Sequence, residues 1–203
     1  MKKRVAHLIV AMICLAALAA CSGQASPALT VTPGPTGTPT PASGADVSLG
    51  ARQRVDAGGF SFQAPQGFAV QVHAAQATIR NTDDTIVIAF AMTPRKDSSQ
   101  TADKELVAFM AKVSNFVDAF KAGTPRTASV GQLPGLGVNV TGSLFGVKNT
   151  GQILLVDTGK AGFFTAFAFV VDGANGNRWE TGGRQVVDAI VNSIEFFEPV
   201  GSQ

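Results

Sequence analysis

Tyrosine is absent from this chain, tryptophan occurs once, and cysteine and histidine occur twice each. His7 and Cys14 fall within the apolar N-terminal run, a removable leader by its pattern, and the single Cys21 and His73 that remain are too few for a clustered Cys/His zinc site. No G-x-S-x-G elbow accompanies any serine, and no G-x-x-x-x-G-K-[ST] phosphate loop occurs. Gly135-Leu136-Gly137 lacks the third glycine of a dinucleotide fingerprint. Surfaces that read sugars or peptides favour Tyr and Trp, which join an apolar face to a polar tip. Here fourteen of the fifteen aromatic residues are Phe, a set that marks a core or an apolar cavity. The one tryptophan, Trp179, is expected to pack.

Carboxylates are also sparse. Asp83-Asp84 falls where a hairpin turn is expected, and neighbours on an extended backbone point apart, so the pair is a poor acid–base couple. Asp172, Asn175 and Asn177 place oxygen ligands in a glycine-rich loop of the kind that suits Ca²⁺. The EF-hand register would need Asx at 174 and 176, which are Ala and Gly, so a plain connecting loop is the better reading. His73 sits in an alternating run and reads as a half-exposed strand histidine. The residues therefore predict no catalytic group, no cofactor and no enzyme.

What the chain does have begins at its N-terminus. Met1-Lys2-Lys3-Arg4 precedes an uncharged apolar run to Ala20, the pattern of a secretory signal peptide over residues 1–20. Val5 to Ala20 is shorter than the ~20 residues that span a bilayer. Leu18-Ala19-Ala20-Cys21 resembles the lipobox of bacterial lipoproteins. That resemblance implies cleavage between Ala20 and Cys21, a diacylglycerol thioether on Cys21 and N-acylation with a chain such as palmitate. The protein is then expected outside the cytoplasm, anchored by lipid to the cell membrane or the outer membrane. Loss of Lys2, Lys3 and Arg4 from sixteen basic residues leaves thirteen against fourteen acidic ones, a net charge of −1. The basic pI thus belongs to the signal and offers nothing to nucleic acid. With Cys14 removed and Cys21 alkylated, no thiol remains for a disulfide.

Residues 21–50 are predicted to be the lipidated Cys plus a Pro/Thr/Gly-rich linker. Five of the ten prolines lie here, and no charge occurs before Asp46. Such a stretch favours extended, solvated backbone and acts as a spacer, ~30 Å long as a coil. Residues 51–199 are then one globular domain, long enough for a self-sufficient core.

Within that domain, Leu106, Phe109, Met110, Val113, Phe116, Val117 and Phe120 recur at three- and four-residue steps and predict a helix over 101–122. Val186, Val187, Ile190 and Val191 predict another over 181–192. Strands are expected at 60–64, 69–74, 77–81, 85–92, 137–145, 150–157, 163–171 and 194–197, linked by turns too short for parallel crossovers. The runs 163–171 and 85–92 are apolar on both faces and must be covered on both. The predicted fold is α+β, an antiparallel sheet with a helix on each side in a three-layer α/β/α sandwich.

The order of these elements resembles the PsbP-like/Mog1-like superfamily. The likeness is carried by F-x-x-P-x-G-F from Phe62 to Phe68 and by a closing helix that ends in Ser193-Ile194-Glu195-Phe196. It implies a non-catalytic module that binds or assembles with other proteins, here in the cell envelope, and it transfers no functional residue. The alternative is a carrier or sensor of an apolar ligand such as a lipid, which would need an internal cavity of ~300–1,000 Å³.

Overall fold

The two doubly apolar runs lie side by side at the centre of the sheet. In this computed structural model, which describes residues 47–173 and 178–200, β5 (Ile86–Thr93) pairs antiparallel with β10 (Phe163–Val171), from Phe163 opposite Thr93 to Val170 opposite Ile86. Outward from β5 come β4 (Gln76–Arg80) and the edge strand β3 (Ala69–His73). Outward from β10 come β9 (Val147–Asp157) and the long β8 (Leu133–Leu144). The outer side of β8 is shared by two short strands, β6 (Asp118–Ala122) and β7 (Arg126–Val130). Together these make an eight-stranded sheet.

Each face of β10 is buried in its own cluster. Phe163, Phe167 and Phe169 pack with Leu106 and Val113 of α1 (Ala102–Ser114). Phe164, Ala166, Ala168 and Val170 pack with Val187, Ile190 and Val191 of α2 (Arg184–Asn192). The expected three layers are present. One layer holds more than a helix: β1 (Leu49–Val55), β2 (Phe60–Pro65) and β11 (Glu195–Phe196) form a separate three-stranded sheet on the α2 side. Phe60 and Phe62 of this small sheet stack edge-on against Phe90 and Phe164 of the large one, at ring separations of 5.0–6.2 Å.

Three departures from expectation have physical causes. The helix foreseen to Ala122 stops at Ser114, and residues 118–122 are strand β6. A bulge explains the misleading period: Asp118 pairs with Ser143 and Lys121 with Thr141, so three residues on β6 span two on β8, and Ala119 takes φ 50°. Val117 and Phe120, three apart as on a helix, therefore both reach the α1-side cluster. The last helix begins at Arg184, not Thr181. Trp179–Gly183 is instead a wide turn, closed by the Gly183 N–H on the Arg178 carbonyl at 2.9 Å. The turn expected at 146–149 is the two-residue loop Phe145-Gly146, with β9 already under way at Val147.

Arg95 ties one end of the sheet. Its guanidinium pairs with Asp157 at 2.5 Å, donates to the Gln100 carbonyl at 2.7 Å and lies 4.5 Å over the Phe163 ring. The hydrogen bond from Arg95 holds the Asp157 carboxyl below the ordinary carboxylate value, against an opposing effect of burial. A lowered folded-state value stabilises the fold above the unfolded carboxylate value, near ~3.9, and that stabilisation is lost as pH falls through the folded value. Arg95→Met is expected to cost about 1–2 kcal/mol at pH 7 through its hydrogen bonds and ring contact. The deficit should shrink as urea unfolding is repeated from pH 5 towards pH 2; a deficit constant with pH would remove Asp157 from the account.

Candidate functional site

Cross-strand partners on an antiparallel sheet share a face, and three pairings place polar residues together, with a fourth adding an arginine. Thr141 lies opposite Thr150, Asn139 opposite Gln152, and Lys121 opposite Thr141. The fourth is Arg126 opposite Gly137. Gln152 and Leu154 alternate along β9, so this is the face that carries α2. An open groove of about 410 Å³ lies on this face. Lys121, Gly123, Asn139, Thr141 and Thr150 form its floor and one bank; Trp179 and Glu180, from the wide turn before α2, form the other.

Local hydrogen bonds hold this surface in place. The Arg126 guanidinium donates to Asn139 Oδ1 at 3.1 Å, and Gln152 Nε2 donates to Asp188 Oδ1 of α2 at 3.4 Å. Thr150 Oγ1 lies 3.2 and 3.3 Å from the two oxygens of Asp172, whose backbone N–H donates to the Lys148 carbonyl at 3.0 Å. Gly123 N–H donates to the Asn139 carbonyl at 2.9 Å and closes the corner between β6 and β7. Trp179 is 2% exposed and packs into the α2-side core, as expected of it, while lining the groove.

The residues singled out from sequence are dispersed. Ala20, Cys21, Asn175 and Asn177 lie outside the described residues. Asp172 is half-buried and engaged with Thr150 at the margin of the groove. Among the described residues, no three of His, Cys, Asp and Glu converge to hold a metal ion. His73 ends the edge strand β3 and is exposed. Asp83-Asp84 sits in the β4–β5 turn: Thr85 donates to Asp83 through both N–H and hydroxyl, and this lowers the Asp83 carboxyl below its ordinary value. Asp97 is lowered in the same way by Ser99. Shifted carboxyls often mark reaction centres. Here turn hydrogen bonds and the Arg95 pair account for each of the three, and none lines the groove. Lys121, Asn139, Thr141 and Thr150 escaped sequence reading because they are ordinary strand residues until β6 and β9 bring them together.

No protein-family model matches the chain, and no curated protein sequence does. Among solved structures, the chain superposes on cyanobacterial PsbP (CyanoP) from Synechocystis sp. PCC 6803 with a TM-score of 0.54. The match covers 78% of this chain and 98% of that one. The fold is PsbP-like. Identity is 14%, so the likeness speaks for architecture alone. A protein from Bacteroides thetaiotaomicron VPI-5482 aligns with a TM-score of 0.50 and 14% identity over 73% of this chain. The match covers 49% of that longer protein.

Proposed function

We propose that this PsbP-like chain is a lipid-anchored, extracytoplasmic binding module of the bacterial cell envelope. It performs no catalysis and takes an extended segment of a protein partner in the groove beside α2. The observation that carries this reading is the composition of the groove. Threonine hydroxyls, an asparagine amide, a lysine and a glutamate form hydrogen bonds and ion pairs with a polypeptide. A carrier of lipid would need an enclosed internal cavity, whereas this groove is open to solvent. The rings nearest the centre of this fold instead pack on one another, Phe164 against Phe60, Phe90 and Phe196.

Two measurements test the proposal in the protein's own cells. Cys21→Ser should move the full chain from the membrane fraction to the soluble fraction; retention on the membrane would refute the anchor. A photo-crosslinking amino acid at Lys121 should yield a discrete protein adduct, and the same group at His73, on the opposite edge of the sheet, should not. Equal labelling at both positions would remove the groove from the proposal. A bound apolar mass in native mass spectrometry would replace the binding module with the carrier.

A further inference from the structure

Phe116, Phe145 and Val147 are 42%, 53% and 45% exposed, and they lie at one end of the sheet. Phe116 is two residues before Asp118, Phe145 is two residues after its partner Ser143, and Val147 faces Leu144 across the β8–β9 turn. The turn itself is built against its local chemistry. Phe145 has φ 53° and Gly146 has φ 79°. A two-residue hairpin with both φ values positive is a type I′ turn, whose first position favours Asn, Asp or Gly. A bulky side chain there is strained. Phe145 holds that position with its ring turned outward, so neither the turn nor the core accounts for it.

The described chain begins at this same end. Leu49 of β1 lies opposite Pro65, and the chain then turns through Gln66-Gly67 into β3. Thr82 Oγ1 donates to the Gly67 carbonyl at 3.5 Å, tying that turn to the β4–β5 loop. The loop shares its end of the sheet with the β8–β9 hairpin, since Ile86 faces Val170 and the next residue, Val171, faces Asn149. The last described residue, Val200, instead bonds to Asp56 beyond the other end of β1.

We propose that the β8–β9 tip, with Phe116 beside it, is a membrane-contact site that rests in the interfacial layer of the bilayer holding the anchor. The orientation rests on the lipid-anchor reading above. A lipid surface fits better than a protein. Whole aromatic side chains bury about 150–250 Å² each. Two phenylalanines and a valine thus fall short of the ~800 Å² per partner of a stable protein interface. A surface already tethered at the same end needs no such area, because the anchor supplies the effective concentration. Exposed Lys148, next to Val147, carries an alkyl stem able to lie along the apolar layer with its charge among the headgroups.

The test places p-benzoylphenylalanine at Phe145, at Val147 and, as a control, at Val72 of the full chain in its own cells. Irradiation should yield phospholipid-mass adducts at 145 and 147 and none at 72. Protein adducts alone, or no adducts, at the two tip positions would overturn the proposal. Phe145→Asn creates an Asn-Gly turn and should raise the Tm while lipid adducts at 147 are lost. A lowered Tm would show that the ring serves the fold and would also overturn it. Palmitate incorporation that disappears in Cys21→Ser reads the anchor separately. Incorporation without tip adducts sinks the tip alone; tip adducts without incorporation sink the anchor alone.

Discussion

Phe164→Ala is expected to destabilise the domain by about 3–5 kcal/mol, the range for deleting a buried aromatic ring. Phe164 is fully buried in the central strand β10. Its ring centroid lies 5.0 Å from Phe60 of β2, 5.5 Å from Phe90 of β5 and 5.1 Å from Phe196 of β11. One side chain therefore joins the small sheet to the large one, and its neighbours belong to three different strands that cannot all collapse into the gap. Phe164→Leu keeps most of the volume and should cost roughly 1.5 kcal/mol or less. Urea unfolding of both variants checks the order. Equal losses would mean that the site tolerates a cavity, and that the two sheets are joined elsewhere.

Gly151→Ala should be nearly as severe, about 3 kcal/mol, the upper part of the range for overpacking. Gly151 lies in β9 opposite Phe169 of β10. A Cβ there would collide with the Ala168 carbonyl and come within 2.9 Å of the Phe169 ring. The carbonyl belongs to the backbone of the central strand and cannot swing aside, so the β9–β10 ladder itself must open. Gly146→Ala is the control, because a Cβ at Gly146 meets nothing within 4 Å. Its cost is only the left-handed backbone, ~1–2 kcal/mol. If Gly151→Ala proves the milder of the two by thermal unfolding, β9 and β10 do not approach as described.

Several elements were legible because their signal is local. Phe163–Val171 carries apolar residues on both faces, which demands cover on both, and two amphipathic segments were at hand to provide it. Asp83-Asp84 reads as a turn from its own side-chain chemistry, and it is one. The strands β1, β6 and β7 were missed for a shared reason. Arg52 and Arg54 break the apolar pattern of β1, a bulge gives β6 a helical spacing, and β7 is a mostly exposed edge strand. Each is held by a neighbour: β1 by the ladder to β2, with Arg52 reaching Glu195 at 3.0 Å and the Ser193 carbonyl at 2.9 Å, and β6 and β7 by the outer edge of β8.

By itself the sequence determined the α+β class, the antiparallel pairing, the doubly covered central strands and the scarcity of reactive groups. Those depend on residue type, on period and on connections too short to cross a sheet. Only the tertiary structure decided that β1, β2 and β11 would form a second sheet over the first, and that Lys121, Asn139, Thr141 and Thr150 would share a groove with Trp179. The same holds for the gathering of Phe116, Phe145 and Val147 at the end where the described chain begins. The physical reason is that free backbone edges and uncovered faces are claimed by whichever segment the completed chain brings beside them, and that choice is made between residues far apart in sequence.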